Sequence, residues 1–228
     1  VSTKVHPATS LPATPHPFPI ALSQTALLVI DMQNDFCHPE GFCGQDLGAD
    51  LSAVGAIVPR IQWVIEWCRD RNLLVVYTRE SHCSDLSDVS PSKQLRYTNA
   101  GYPVGTMGNM GRFLVQGEPG TALLDAFKPL PTELQLDKPA QSVFIATALE
   151  TTLRDRGITH LLLTGVTTQC CVLASYRHAS DLGFYCLLLE DCCAAFDPNE
   201  HQAAIAVVQS ENGAIGWVAT SETLLAVV

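Results

Sequence analysis

From Thr25 onward, apolar runs of strand length alternate with longer segments whose apolar residues recur at helical spacing. That alternation is the signature of a βαβ series, so the chain is committed to a parallel sheet with helices packed on it. The expected strands are 26–31, 73–78, 134–138, 160–166, 184–190 and a last one near 214–218. Between the first two strands, Ile61, Val64, Ile65 and Cys68 mark one helix face, with Pro59 expected in the first turn. Leu149 and Leu153 mark another helix, ended by Gly157, and the segment from Cys171 to Leu182 ends at Gly183. Asp197-Pro198-Asn199-Glu200 reads as an N-cap, a proline at the first helical position and a glutamate two residues on. The expected fold class is therefore α/β, a Rossmann-like three-layer arrangement with a six-stranded parallel sheet flanked by helices.

With 228 residues, 47% of them hydrophobic, the chain is long enough for one substantial core, expected as a single domain over residues 23–228. Residues 1–22 hold five prolines among serines and threonines and read as an extended arm suited to packing on a neighbouring subunit. The stretch 81–120, rich in Gly, Ser and Pro, reads as a working loop over a site, and its Gly105–Gly111 segment as mobile. No apolar run is long enough to span a membrane, and no basic-then-apolar leader with a small-residue cleavage site opens the sequence, so a cytoplasmic protein is expected. A formal net charge of −10 would repel phosphate backbones, which argues against a nucleic-acid partner. The nine cysteines include no C-x-x-C pair, so they read as free thiols rather than a disulfide framework or a zinc site.

Three residues stand at strand ends. Asp31 closes the first strand, Lys138 the third, and Cys171 follows the fourth. In an open parallel sheet, ligands bind beyond the carboxyl ends of the strands, where the strand order reverses. A thiol at a strand-to-helix turn meets unpaired N–H groups and the positive end of a helix dipole, which favour the thiolate. Attack on a carbonyl then needs a base for the thiol proton and an acid for the departing amine, a pair of tasks that Asp31 can perform in turn. Lys138 would stabilise both charges, and the N–H groups of Thr167 and Cys171 would receive the oxyanion. Each residue alone has a structural reading too: a turn cap for Asp31, a solvated charge for Lys138, a small buried hydrophobe for Cys171.

These motifs resemble the isochorismatase-like cysteine hydrolases. The resemblance rests on Asp31-Met32-Gln33-Asn34-Asp35-Phe36, on Lys138-Pro139 with Ser142 and Phe144, and on Thr164-Gly165-Val166-Thr167-Thr168 with Cys171-Val172. It implies an Asp31–Lys138–Cys171 triad, a cis peptide between Val166 and Thr167, and a homotetramer. It also selects Cys171 over Cys170 as the nucleophile, because the reactive cysteine directly precedes a valine. Within the family the chain is similar to biuret hydrolase, through Arg79-Glu80, residues 85–93, Gly111-Arg112, residues 117–120 and residues 186–193. That likeness implies cleavage of a small urea-type amide, with ammonia released and no cofactor. Some nicotinamidases of the family carry an Asp-x-His metal motif after the second strand; Ser81-His82-Cys83-Ser84-Asp85 lacks that spacing, so no metal is expected.

Glu211 stands where the likeness places a glutamine that holds the far end of biuret. A carboxylate there would favour a guanidine-type partner and point to guanylurea, unless Glu211 is a solvated residue at a helix end. Gln141 in place of a lysine would make the pocket less positive still. Phe36 and Phe42 are expected either as pocket walls or as core. The other readings are a family member acting on a different carboxamide, such as a ureidoacrylate, nicotinamide or triuret type, an isochorismatase cleaving a vinyl ether, and a non-catalytic binding protein. Cys171 weighs against the vinyl ether.

Overall fold

The computed structural model of the chain describes residues 9–226. Strands β1 (Thr9–Leu11) and β2 (Phe18–Ile20) form an antiparallel hairpin whose turn includes a cis Thr14–Pro15 bond. Leu11, Phe18 and Ile20 are buried in the chain's own core. Over its described part, then, the proline-rich segment is not an extended arm. Its apolar residues alternate with prolines, so a hairpin can turn one apolar face inward while the prolines occupy positions that need no N–H donor. The residues before Thr9 lie outside the described residues.

The remaining elements follow in order: β3 (Thr25–Ile30), α1 (Asn34–Cys37), α2 (Ser52–Asp70), β4 (Leu74–Glu80), α3 (Pro91–Asn99), β5 (Met107–Gly108), β6 (Gly111–Arg112) and β7 (Leu134–Lys138). They continue through α4 (Leu149–Asp155), β8 (His160–Val166), α5 (Leu173–Asp181), β9 (Tyr185–Ala194), α6 (Pro198–Gln209), β10 (Trp217–Ala219) and α7 (Ser221–Leu225). Six strands form one parallel sheet in the order β10-β9-β8-β3-β4-β7. All six residues of β3 are buried, as a central strand covered on both faces requires. One face packs α2 and α7 over Leu27, Val29, Leu162 and Leu187; the other packs α4, α5 and α6 over Leu28, Ile30, Leu161 and Leu163. The strand order reverses between β3 and β8, which opens a crevice at their carboxyl ends.

Several boundaries differ from the sequence reading, each for a physical reason. β4 runs two residues past Thr78, because Arg79 and Glu80 continue the ladder opposite Asp137 and Lys138 and each charge meets its opposite. β9 runs on to Ala194 past a register shift opposite Leu163 and Gly165, and the final strand is only Trp217–Ala219. Pro59 sits in the interior of the 19-residue α2 rather than in its first turn. It is exposed there, as is Gly55 one turn earlier, so water can reach the carbonyl that loses its partner.

Residues 81–120 are more than a loop. They contain α3, the β5–β6 hairpin and a small core of their own, in which Val104, Phe113 and Leu114 bury against Phe42. The Gly105–Gly111 segment is held by hydrogen bonds, Asn109 Nδ2 to the Glu40 carbonyl at 3.1 Å and Gly120 N to the Met110 carbonyl at 2.9 Å. This unit roofs the crevice. Asp35, buried on α1, clips it down by accepting the Leu114 N–H at 3.0 Å.

Candidate active site

Four neighbouring strands deliver one functional residue each to the crevice. From the sheet edge inward, β7 ends in Lys138, β4 in Glu80, β3 is followed by Asp31, and β8 leads to the turn that holds Cys171. Parallel strands end together at one edge of the sheet, so their last residues can meet there. Side chains from adjacent strands lie about 5 Å apart. The Lys138 ammonium bridges the group, 2.8 Å from Asp31 Oδ2, 3.4 Å from Glu80 Oε2 and 2.8 Å from the Ala140 carbonyl. Asp31 adopts a positive φ of 53°, a conformation that costs a non-glycine residue on the order of 1 kcal/mol. Its Oδ1 accepts the Thr78 hydroxyl at 2.7 Å.

The Val166–Thr167 peptide is cis, where the resemblance placed it. Thr168–Val172 then form a wide turn, with Val172 N reaching back five residues to the Thr167 carbonyl at 3.3 Å. Cys171 therefore precedes α5 and is not its first residue. Its Sγ points at Glu80 Oε2, 3.2 Å away. Ser175, one turn on, accounts for the Cys171 carbonyl with a 2.7 Å bond.

The site's electrostatics differ from a thiolate resting at a helix terminus. Hydrogen bonding with Cys170 and complete burial, opposed by Lys138, hold the Cys171 thiol well above its ordinary range. It rests protonated and donates to Glu80. Burial alone would raise Glu80 as well, but Lys138 and Lys93 overcome it and pull that carboxyl down to about 2. Asp31 moves the other way: burial pushes it up more than Lys138 draws it down, and Glu80 adds repulsion. Asp31 is consequently the better proton acceptor of the two carboxylates, and Glu80 the fixed anion. Burial works against Lys138's charge, yet Asp31, Cys171 and Glu80 together keep it protonated.

Glu80 and Lys93 were not singled out as functional residues in the sequence. The signal was the length of the second strand: once Glu80 is its last residue, it falls beside Lys138 at the site. The metal motif has to be reread for the same reason. Glu80-Ser81-His82 does have carboxylate-x-His spacing, but the Lys93 ammonium stands between the two side chains, 2.5 Å from Glu80 Oε1 and 2.7 Å from His82 Nε2. A divalent ion does not fit where a cation is already bonded to both groups. Asp31, Glu80 and Cys171 also bring ligand atoms within 4.8 Å of one another, and there Lys138 pairs with both carboxylates.

A cavity of about 350 Å³ opens over Cys171. Thr167 and Cys171 both line it, as an oxyanion site requires, and so do Phe36 and Gln141. Phe42 does not: it is buried behind the wall, stacked on Phe113 with ring centroids 4.2 Å apart. The roof unit contributes Arg96, Tyr97, Tyr102 and Phe113, and Phe196 closes another side. Glu211 is elsewhere. It is exposed in the turn after α6, on the amino-end side of β10, where the neighbouring Asn212 carbonyl meets His16 Nε2 at 2.9 Å. The structure does not bring it to Cys171 within this chain.

Comparison with known proteins agrees with this geometry. The isochorismatase domain family matches residues 25–223. The chain belongs to the isochorismatase family. It is 32% identical over 221 residues to the ureidoacrylate amidohydrolase RutB of Caulobacter segnis, covering 92% of this chain and 88% of that protein. Among solved structures it is similar to an isochorismatase family protein from Desulfovibrio vulgaris, with a TM-score of 0.72 and 26% identity over 88% of this chain and 96% of that one. It is also similar to N-carbamoylsarcosine amidase from Thermoplasma acidophilum, with a TM-score of 0.65 and 26% identity over 87% and 97%. Six parallel strands flanked by helices are thus the family fold, and the chain is a hydrolase of that family with a cysteine at its centre.

Proposed function

We propose that the protein hydrolyses a C–N bond of a small urea-type amide, with Cys171 as nucleophile, and releases ammonia. One observation carries the reading: the buried thiol on the floor of a small, partly aromatic cavity lies in one cluster with a charged lysine and a carboxyl that burial raises. Asp31 takes the Cys171 proton as sulfur attacks the carbonyl carbon. The oxyanion that forms is met by the Thr167 and Cys171 N–H groups. Asp31 returns that proton to the leaving nitrogen, which departs as ammonia and leaves a thioester-type acyl-enzyme. Water, deprotonated by Asp31, then attacks the same carbon and restores the thiol. Lys138 stays charged throughout and keeps the two negative centres at working distance.

Of the two urea-type substrates raised by the sequence, neutral biuret suits the cavity better than cationic guanylurea. The one carboxylate at its floor, Glu80, is already neutralised by two lysines, and Arg96 at the mouth would repel a guanidinium. Arg96 also favours a second reading, a carbamoyl compound with a carboxylate tail, the kind of substrate that the ureidoacrylate relatives are named for. Ammonia release from biuret, guanylurea and ureidoacrylate, offered separately, decides among them. Turnover of at least one, abolished in Cys171→Ala, is the expected result. Full retention of activity in Cys171→Ala would end the thiol mechanism. A homotetramer is proposed for the assembly, to be checked by light scattering on the eluting protein.

A further inference from the structure

Lys93 leaves a helix of the roof and ends beneath the cavity. It is the third residue of α3, whose N-terminus is capped by Ser90 Oγ accepting the Lys93 N–H at 3.2 Å. The side chain is buried, and its ammonium has three partners: Glu80 Oε1 at 2.5 Å, His82 Nε2 at 2.7 Å and the Pro139 carbonyl at 2.9 Å. An ammonium has three N–H bonds, so each has one acceptor. His82 accepts because it is neutral: burial and the adjacent Lys93 charge both lower its pKa. Its other nitrogen lies 3.3 Å from Asp88 Oδ2.

The two oxygens of Glu80 face opposite ways. Oε1 meets Lys93 and the Tyr97 hydroxyl, which donates at 3.3 Å; Oε2 meets the Cys171 thiol and Lys138. A carboxylate is rigid and planar, so fixing one oxygen fixes the other. We infer that Lys93 is a positioning residue for the hydrolysis: it locks Glu80 from behind, and through Glu80 it sets both the place of the Cys171 thiol and the charge balance in which that thiol ionises. This rests on the proposed role of Cys171.

The charge balance gives the inference its sign. The groups facing the thiol are Asp31 after β3, Glu80 on β4, Lys138 on β7, Cys170 on its own turn, and Tyr97 on α3; Lys93, His82 and Asp88 stand behind Glu80. Asp31 and Glu80 carry two negative charges, and Lys138 and Lys93 two positive ones. Moving the thiol proton to Asp31 redistributes charge inside this set without changing its total. Without Lys93, the same transfer takes place in a buried cluster with one negative charge in excess, which opposes a thiolate.

The test is the pH dependence of Cys171 alkylation by iodoacetamide, read at that residue by peptide mass spectrometry, in the wild type, Lys93→Met, Lys93→Gln and Glu80→Gln. We expect both Lys93 substitutions to move the midpoint of alkylation to higher pH by about one unit. On whichever amide is turned over, kcat should fall roughly 30-fold while KM changes little. Because Lys93 acts through Glu80, Lys93→Met combined with Glu80→Gln should be no worse than Glu80→Gln alone. A lysine that only pins α3 would lower Tm and leave the midpoint where it is. That outcome, or losses that multiply in the double variant, overturns the inference. Circular dichroism establishes folding. Lys93→Gln retains an N–H donor should Lys93→Met fail to fold, and if neither folds, an unmoved midpoint in Glu80→Gln is decisive against the relay. Alkylation needs no substrate, so the absence of amide turnover would sink the proposed reaction and leave only the hold of Lys93 on the thiol standing, whereas turnover with an unmoved midpoint would do the reverse.

Discussion

Asp35 illustrates how one carboxyl can serve structure at a cost that depends on pH. It is buried, and burial pushes its pKa up to about 6 even though the Leu114 N–H bond pulls the other way. Gly120 is part of the reason it fits, since a Cβ there would stand 2.1 Å from Asp35 Oδ1. An acid whose folded pKa exceeds its unfolded value binds its proton more tightly in the native state. Its contribution is fully present below about pH 4 and is lost as pH rises through 6. Asp35→Asn keeps an acceptor for Leu114 and removes the titration. The variant should therefore gain on the wild type between pH 4 and pH 7, by up to about 3 kcal/mol. Urea unfolding at a series of pH values measures this, and parallel stability curves for the two proteins would refute it. At the same scale, Asp31, Lys138 and Cys171 were legible in the sequence because Asp31 and Lys138 close expected strands and Cys171 lies in the turn after another. Glu80 was hidden because a charged Arg-Glu pair reads as the start of a loop until its partners across the ladder, Asp137 and Lys138, are known.

At the scale of elements, β3 and β8 approach each other closely at the crevice. Gly165 has a φ of 110°, and a Cβ on it would lie 2.0 Å from the Ile30 carbonyl oxygen. The two strands pair there one residue before Asp31 and two residues before Thr167. Gly165→Ala must push them apart at the crevice, so a stability loss of roughly 3 kcal/mol or more is expected. The activity that survives should be lower than the folded fraction explains. A Tm within about 2 °C of the wild type would show that the edge yields instead. The periodicity of apolar residues was enough to place the sheet and its helices. It could not anticipate the roof, whose small core is assembled from Phe42, Val104, Phe113 and Leu114, residues with no shared helical or strand period. Glycine-rich composition pointed to a loop there because the tertiary contacts that order it are long-range.

For the molecule as a whole, the N-terminal hairpin closes what would otherwise be an open side. Thr14 and Val218 exchange backbone hydrogen bonds at 2.8 and 2.9 Å, so the turn of the hairpin covers part of edge strand β10. Phe18 packs edge-on against Trp217 and His160. A chain beginning at Ala21 would lose the burial of Leu11, Phe18 and Ile20, worth about 1.5–3 kcal/mol for each large side chain. It would also present unpaired N–H and C=O groups along β10. A Tm lower by more than about 10 °C and association that grows with concentration are expected. Unchanged melting and a flat light-scattering signal would contradict it.

The roof and the floor come from separate parts of the chain, and this bears on how such a protein can change its diet over evolutionary time. Residues of the 81–120 unit can vary the shape and charge of the cavity while the four strand ends keep their chemistry. That freedom has one condition built into it. The roof also supplies the Lys93 ammonium, so a transplanted roof that lacks a lysine at this spot would bring a new selectivity to a floor that no longer holds its anion in place.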